Sequence, residues 1–92
     1  MILEIVTPEA SIFNSEVDSV AVPGINGSFQ MLNNHAPIVS LLDQGVIRIK
    51  GKAIQINEEF SDLFKKEEDE FQLEINTGTI EMNANKIIIL VD

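Results

Sequence analysis

The sequence predicts an all-β fold, an antiparallel β-sandwich or flattened barrel, and three observations carry that expectation. Short segments of alternating apolar and polar residues recur along the chain. Turn signals separate them at Pro23-Gly24, Asn26-Gly27, Asn33-Asn34, Gly45, Gly51, Thr77-Gly78 and Asn83-Ala84-Asn85. The length of 92 residues suits one domain, 1–92. A chain of this size buries roughly 60–65% of its unfolded surface, enough for a two-layer core with little margin. There is no linker, low-complexity tract or internal repeat.

The elements follow in order. Ile2 to Thr7 alternates, with Leu3 and Ile5 on one face and Glu4 on the other, and Pro8 ends the strand. Ser15 to Val22 reads as a second strand with both faces partly apolar. Asn26-Gly27 marks a hairpin, both residues tolerating positive φ, and Phe29 and Met31 alternate beyond it. Asn33-Asn34 makes a second corner, and Pro37, lacking an amide proton, opens the next strand, Ile38 to Leu42. In Val46 to Lys50 the residues Ile47 and Ile49 oppose Arg48 and Lys50, and Lys52 to Asn57 repeats the alternation with Ile54 and Ile56 inward. The period then changes. Phe60, Leu63 and Phe64 fall at helical spacing within an acidic insert, 58–70, which predicts a short amphipathic helix there on an otherwise solvated excursion. Phe71, Leu73 and Ile75 restore the strand period, and Ile80 and Met82 lead through Asn83-Ala84-Asn85 into Ile87 to Val91.

Composition narrows the function. With no cysteine, disulfides and thiolate metal sites are excluded, and a reducing compartment is favoured. No signal peptide is visible, and the apolar run Ile87 to Val91 is far shorter than the ~20 residues that cross a bilayer. The net charge of −9 disfavours nucleic acid, and no Lys or Arg precedes Arg48; such acidity first of all keeps a small domain soluble, and where the first half meets a partner it suits a basic protein surface better than anionic lipid.

Catalysis finds no support in the residues. The one histidine, His35, lacks a cysteine partner and no serine lies in a nucleophile elbow, so no catalytic, metal or cofactor site is expected. Gly45 to Lys52 only superficially suggests a phosphate loop, with Ala53 where a magnesium-ligating hydroxyl belongs. Glu67-Glu68-Asp69-Glu70 lacks the glycine and ligand spacing of a calcium loop and reads as a solvated face. Asn26-Gly27-Ser28 matches a glycosylation acceptor only by chance, without a secretory signal.

One longer pattern is specific. Val22-Pro23-Gly24, Gly27, Phe29, Leu32, His35-Ala36-Pro37 and Val39 occur in the order and spacing that resemble the N-terminal domain of the epsilon subunit of F-type ATP synthases. Leu3 to Pro8, Phe13, Leu41 to Ile49, Thr77 to Glu81 and Ile87 to Asp92 extend the resemblance over most of the chain, with the exception of the region between Gly51 and Glu70. Two places depart from the family pattern. Ser28 stands where an acidic residue commonly follows the glycine, and Asn33-Asn34 replaces a common Pro-Gly with equivalent turn chemistry.

The resemblance implies a non-catalytic rotor component of the central stalk, which couples the gamma subunit to the c ring during proton-driven ATP synthesis. Carried over by position, Asn26, Gly27, Ser28 and Val39 face the c ring, and Thr7, His35, Ala36 and Ser40 face gamma. It implies membrane association only through the complex, on the cytoplasmic face of a bacterial inner membrane. Because typical relatives continue into two C-terminal helices that inhibit hydrolysis and sometimes bind ATP, a short form lacking that arm and any nucleotide site is expected. The alternative is a free-standing β-sandwich module binding a peptide or another ligand, although the absence of Trp and Tyr argues against sugar.

Overall fold

The computed structural model describes all 92 residues, Met1–Asp92. Ten strands follow in chain order: β1 (Ile2–Val6), β2 (Ser11–Glu16), β3 (Ser19–Gly24), β4 (Gly27–Leu32), β5 (Ile38–Leu42), β6 (Gly45–Lys50), β7 (Lys65–Glu67), β8 (Glu70–Ile75), β9 (Gly78–Asn83) and β10 (Lys86–Val91). They hydrogen-bond into one sheet in the order β2-β1-β10-β9-β5-β3-β6-β8-β7, with β4 added beside β3. The sheet curls on itself so that β2-β1-β10-β9-β5 forms one layer and β4-β3-β6-β8-β7 the other. The two halves meet through a single backbone pair, Gly24 with Leu42.

Alternation dictates the core, because in a strand every second side chain points the same way. Leu3, Ile5, Ile80, Met82, Ile87 and Ile89 from the first layer, and Val20, Val22, Met31, Ile47 and Ile49 from the second, lie buried in one apolar cluster. No buried side-chain nitrogen or oxygen lacks a hydrogen-bond partner, as a stable core requires.

Four local expectations change. The strand expected from Ser15 to Val22 is two strands, β2 and β3, because the chain crosses from one layer to the other at Val17-Asp18. Val17 fills the core there while its amide donates to the Met1 carbonyl at 2.9 Å and the Asp18 amide donates to that of Lys50 at 2.8 Å. The sheet is also not wholly antiparallel, since β1 pairs with β10 in parallel. At the β3–β4 hairpin the turn residues are Ile25 and Asn26, and only Gly27 has positive φ, +118°.

The fourth concerns the segment from Lys52 to Glu70. Residues 52–57 form no strand, although Ile54 and Ile56 do pack against the core. The helical part is a 3-10 turn, Glu58–Leu63, capped by the Asn57 side chain accepting from the Glu59 amide at 2.9 Å, and the remainder forms the β7–β8 hairpin. It is not a solvated excursion. Phe60 and Phe64 pack on the core, and the Phe64 ring stands 5.6 Å from that of Phe13 in a tilted pair. The Gln55 amide donates to the buried Ser15 hydroxyl at 3.1 Å and ties the segment to β2. The acidic side chains line the outside of a lid whose apolar face closes the open edge of the sandwich.

Two outcomes are expected. Phe64→Ala should destabilise the protein by about 2 kcal/mol in urea unfolding, through lost burial and the lost aromatic pair; a change near zero would mean that the lid does not cover the core. Ala84 has φ 50° in the β9–β10 turn, so Ala84→Gly should raise stability by about 0.5–1 kcal/mol by relieving left-handed strain.

Candidate functional site

The surface that stands out is built from the β3–β4 hairpin and the outer face of the first layer. Gly24 lets the hairpin close: a Cβ there would lie 2.6 Å from the Gly27 carbonyl oxygen and 2.7 Å from the Phe29 ring. The hairpin is strapped to its neighbours by the Ile25 amide donating to the Leu41 carbonyl at 3.1 Å and the Asp43 amide donating to that of Pro23 at 2.8 Å. Both bonds hold the Asn26-Gly27-Ser28 tip at a defined place relative to β5.

Next to that tip the surface is apolar. Ile25 is 54% exposed, Leu41 57% and Val39 75%, and the last two share the outer face of β5. Opposite Leu41 on β9 is Thr79, opposite Thr79 on β10 is Leu90, and opposite Leu90 on β1 is Val6. At the spacing of neighbouring strands this row runs about 14 Å across the layer. Large aliphatic side chains left in water in one row mark a contact surface. A shallow depression of about 460 Å³ lies at one end of the row, between Thr7, Thr77, Leu90 and Asp92. Further along the same face the surface turns polar, with Glu4, Glu81 and Lys86, and Lys86 Nζ is 3.9 Å from a Glu4 carboxylate oxygen.

The residues expected to meet partners fall into separate places. Asn26, Gly27 and Ser28 cluster at the hairpin tip, all exposed, and Val39 joins them through Leu41 and Ile25. Thr7 lies at the same end, where its hydroxyl donates to the Ala10 carbonyl at 3.2 Å and closes the β1–β2 turn. His35 and Ala36 are exposed at the opposite end, beyond the start of β5. By strand rise the two ends are about 20 Å apart. Ser40 sits on the inward side of β5, half-buried and paired with Ile80. The sequence reading missed Ile25, Leu41 and Leu90, because single apolar residues in an alternating pattern look like core until the register shows which face they take.

Chemically the surface offers shape and apolar area rather than reactivity. His35 has only its own chain as partner, with Nδ1 2.7 Å from the Ala36 carbonyl oxygen. No group of three or more His, Cys, Asp or Glu side chains is placed to hold a metal. The charged groups interact on the outer face of the second layer, where Glu70 accepts from Gln72 Nε2 at 2.6 Å and from Arg48 Nη1 at 2.7 Å. Those hydrogen bonds, Gln72 first and Arg48 next, hold the Glu70 carboxyl below the usual carboxylate range. The Lys65 ammonium is held above its ordinary value by its hydrogen bond and ion pair with Glu67.

Comparison with known proteins agrees with the geometry. The family model described as the ATP synthase Delta/Epsilon chain, beta-sandwich domain, matches residues 1–92. The chain is 38% identical over 90 residues to the ATP synthase epsilon chain of Chlorobium limicola, spanning 98% of this chain and 86% of that one. It is 40% identical over 90 residues to that of Campylobacter concisus, spanning 98% of this chain but 59% of the relative. Among solved structures, a chain of the Tetrahymena thermophila mitochondrial ATP synthase central stalk and c ring superposes with a TM-score of 0.73 at 17% identity, over 99% of this chain and 62% of that one. A chain of the Euglena gracilis mitochondrial ATP synthase does so with a TM-score of 0.75 at 18% identity, over 99% of this chain and 49% of the other. At those identities the two structures speak for the fold.

The depressed Glu70 value sets a pH dependence. A carboxyl whose folded value lies below its unfolded one adds stability above the unfolded value, and loses it as pH falls through the folded value. Arg48→Met should therefore raise the Glu70 titration midpoint, read by carboxyl-carbon NMR, and shrink the stability lost on acidification; an unmoved midpoint would leave Arg48 without influence on that carboxyl.

Proposed function

This chain belongs to the ATP synthase delta/epsilon chain β-sandwich family, and on that ground we propose that it serves as a non-catalytic rotor component linking the gamma subunit to the c ring. The observation that carries the reading is the match of the family model to every residue, 1–92. Its relatives are named as epsilon chains, and the central-stalk and c-ring assembly in which the Tetrahymena chain sits is consistent with such a place. In this role the protein is a peripheral part of a membrane-associated complex; we assign it to the cytoplasmic face of a bacterial membrane.

The mechanics follow from the fold. Transmitting torque needs two partner surfaces gripped by one body that does not deform, and a sandwich whose layers share one apolar core transmits strain as a unit. We assign the c-ring contact to the tip Asn26-Gly27-Ser28 together with Val39, where the strapped hairpin adjoins the exposed Ile25–Leu41 row. The gamma contact is assigned to Thr7, His35, Ala36 and Ser40. Because Thr7 and His35 mark opposite ends of the first layer, this contact runs the length of that layer, with Ser40 lying beneath it as support.

The exposed apolar row favours this reading over a free-standing ligand-binding module. A small-ligand site is concave and encloses its ligand, whereas Val39, Leu41 and Leu90 lie on an open sheet face. Size-exclusion chromatography of the purified protein with gamma should yield a stoichiometric complex, and failure to co-elute would sink the reading. Ala36→Asp should weaken gamma binding by at least about tenfold, because a charge desolvated without a partner opposes association; the melting temperature should not change, since Ala36 is exposed.

A further inference from the structure

The His35–Ala36 segment is held in place from outside itself. The β4–β5 connection turns at Leu32–His35, where the His35 amide donates to the Leu32 carbonyl at 3.1 Å. Asn34 in that turn takes the left-handed conformation, φ 63°. Its own amide is not used by the turn and instead donates to Asn85 Oδ1 at 2.8 Å. Asn85 Nδ2 donates in turn to Asn33 Oδ1 at 3.1 Å, and the same oxygen accepts from the Met1 nitrogen at 3.0 Å. The Asn85 carbonyl accepts a further bond from the Ile2 amide at 3.1 Å.

Asn85 can do this because of its place in the fold. It is the second residue of the two-residue β9–β10 turn, between the paired Asn83 and Lys86, and it is itself left-handed at φ 62°. β10 lies beside β1, and β9 beside β5, so this turn stands next to both the start of β1 and the approach to β5. One amide side chain therefore supplies an acceptor to one residue of the neighbouring turn and a donor to the next. A backbone loop with exposed side chains and no core contact of its own has many conformations open to it. Two bonds to consecutive residues remove most of that freedom before any partner arrives, which is how preorganisation raises affinity without adding a contact.

We propose that Asn85 is a positioning residue for the His35–Ala36 segment, clamping the β4–β5 turn to the β9–β10 turn so that this segment meets its partner already ordered. The inference rests on the assignment of His35 and Ala36 to the gamma contact, while the clamp itself is a property of this chain alone. Asn85 touches no partner in this scheme and acts only through Asn33 and Asn34.

Asn85→Gly keeps the left-handed backbone and deletes both side-chain bonds, so the variant should fold. Amide hydrogen exchange of the isolated protein should then be about three- to tenfold faster at Asn34 and His35 and unchanged in β9 and β10, the range expected for one or two part-exposed hydrogen bonds. Asn85→Asp keeps the Oδ1 acceptor and should restore most of the protection at Asn34. Affinity of Asn85→Gly for the gamma subunit should fall by a similar factor, measured well below the melting transition of the variant. Unchanged exchange at Asn34 would overturn the clamp, and faster exchange with undiminished gamma affinity would overturn its role in positioning. If the unaltered protein fails to bind gamma, the rotor reading falls instead, and the exchange measurement alone decides the clamp.

Discussion

The two layers are one sheet, and they stay one through the pairing of Gly24 with Leu42. Everything on either side depends on that corner. β3 pairs with β4 and, over Ser19 to Ala21, with β6, and reaches β5 only at its last residue, which carries the sheet around and brings Val20, Val22 and Ile49 over Ile80, Met82 and Ile89 to make a shared core. The corner is also where the β3–β4 hairpin is strapped to β5, so the geometry that closes the core places the hairpin tip. A side chain at Gly24 would press on the hairpin's own backbone and ring, and the corner and the tip would shift together.

A body built this way suits mechanical coupling better than chemistry. Its core is apolar, its only buried polar side chains are those of Ser15 and Ser19, and no buried side-chain nitrogen or oxygen lacks a hydrogen-bond partner. The perturbed carboxyl, Glu70, sits in a surface hydrogen-bond network with Gln72 and Arg48. What the molecule presents outward is an apolar row on one layer, a charged network on the other, and turns held by specific bonds at both ends. Family membership supplies the context in which such a surface has two partners to grip.

The acidic segment shows how one stretch serves two purposes. Its charges, Glu58, Glu59 and Asp62, keep it wetted, while Phe60 and Phe64 pack on the core, Phe64 against Phe13 of β2. Helical spacing picked out Phe60 and Phe64, which pack on the core, but also Leu63, which does not and is 51% exposed. It did not determine the element, because a stretch this short has too few backbone bonds to sustain an α-helix, and docking selected a 3-10 turn followed by a hairpin.

The sequence by itself determined the all-β class, β1 and nearly every strand from β4 onward, the turns at Asn33-Asn34 and Asn83-Ala84-Asn85, and the resemblance that leads to the family. These are legible because alternation with period two and turn chemistry act between near neighbours. Only the tertiary structure decided the parallel pairing of β1 with β10, the crossing at Val17-Asp18, the outward face of Ile25, Leu41 and Leu90, and the reach of Asn85 to Asn33 and Asn34. Each of those depends on residues far apart in the chain becoming neighbours when the sheet closes. Local pattern says that a residue points up or down, but which side is core and which is surface is settled only when the second layer arrives.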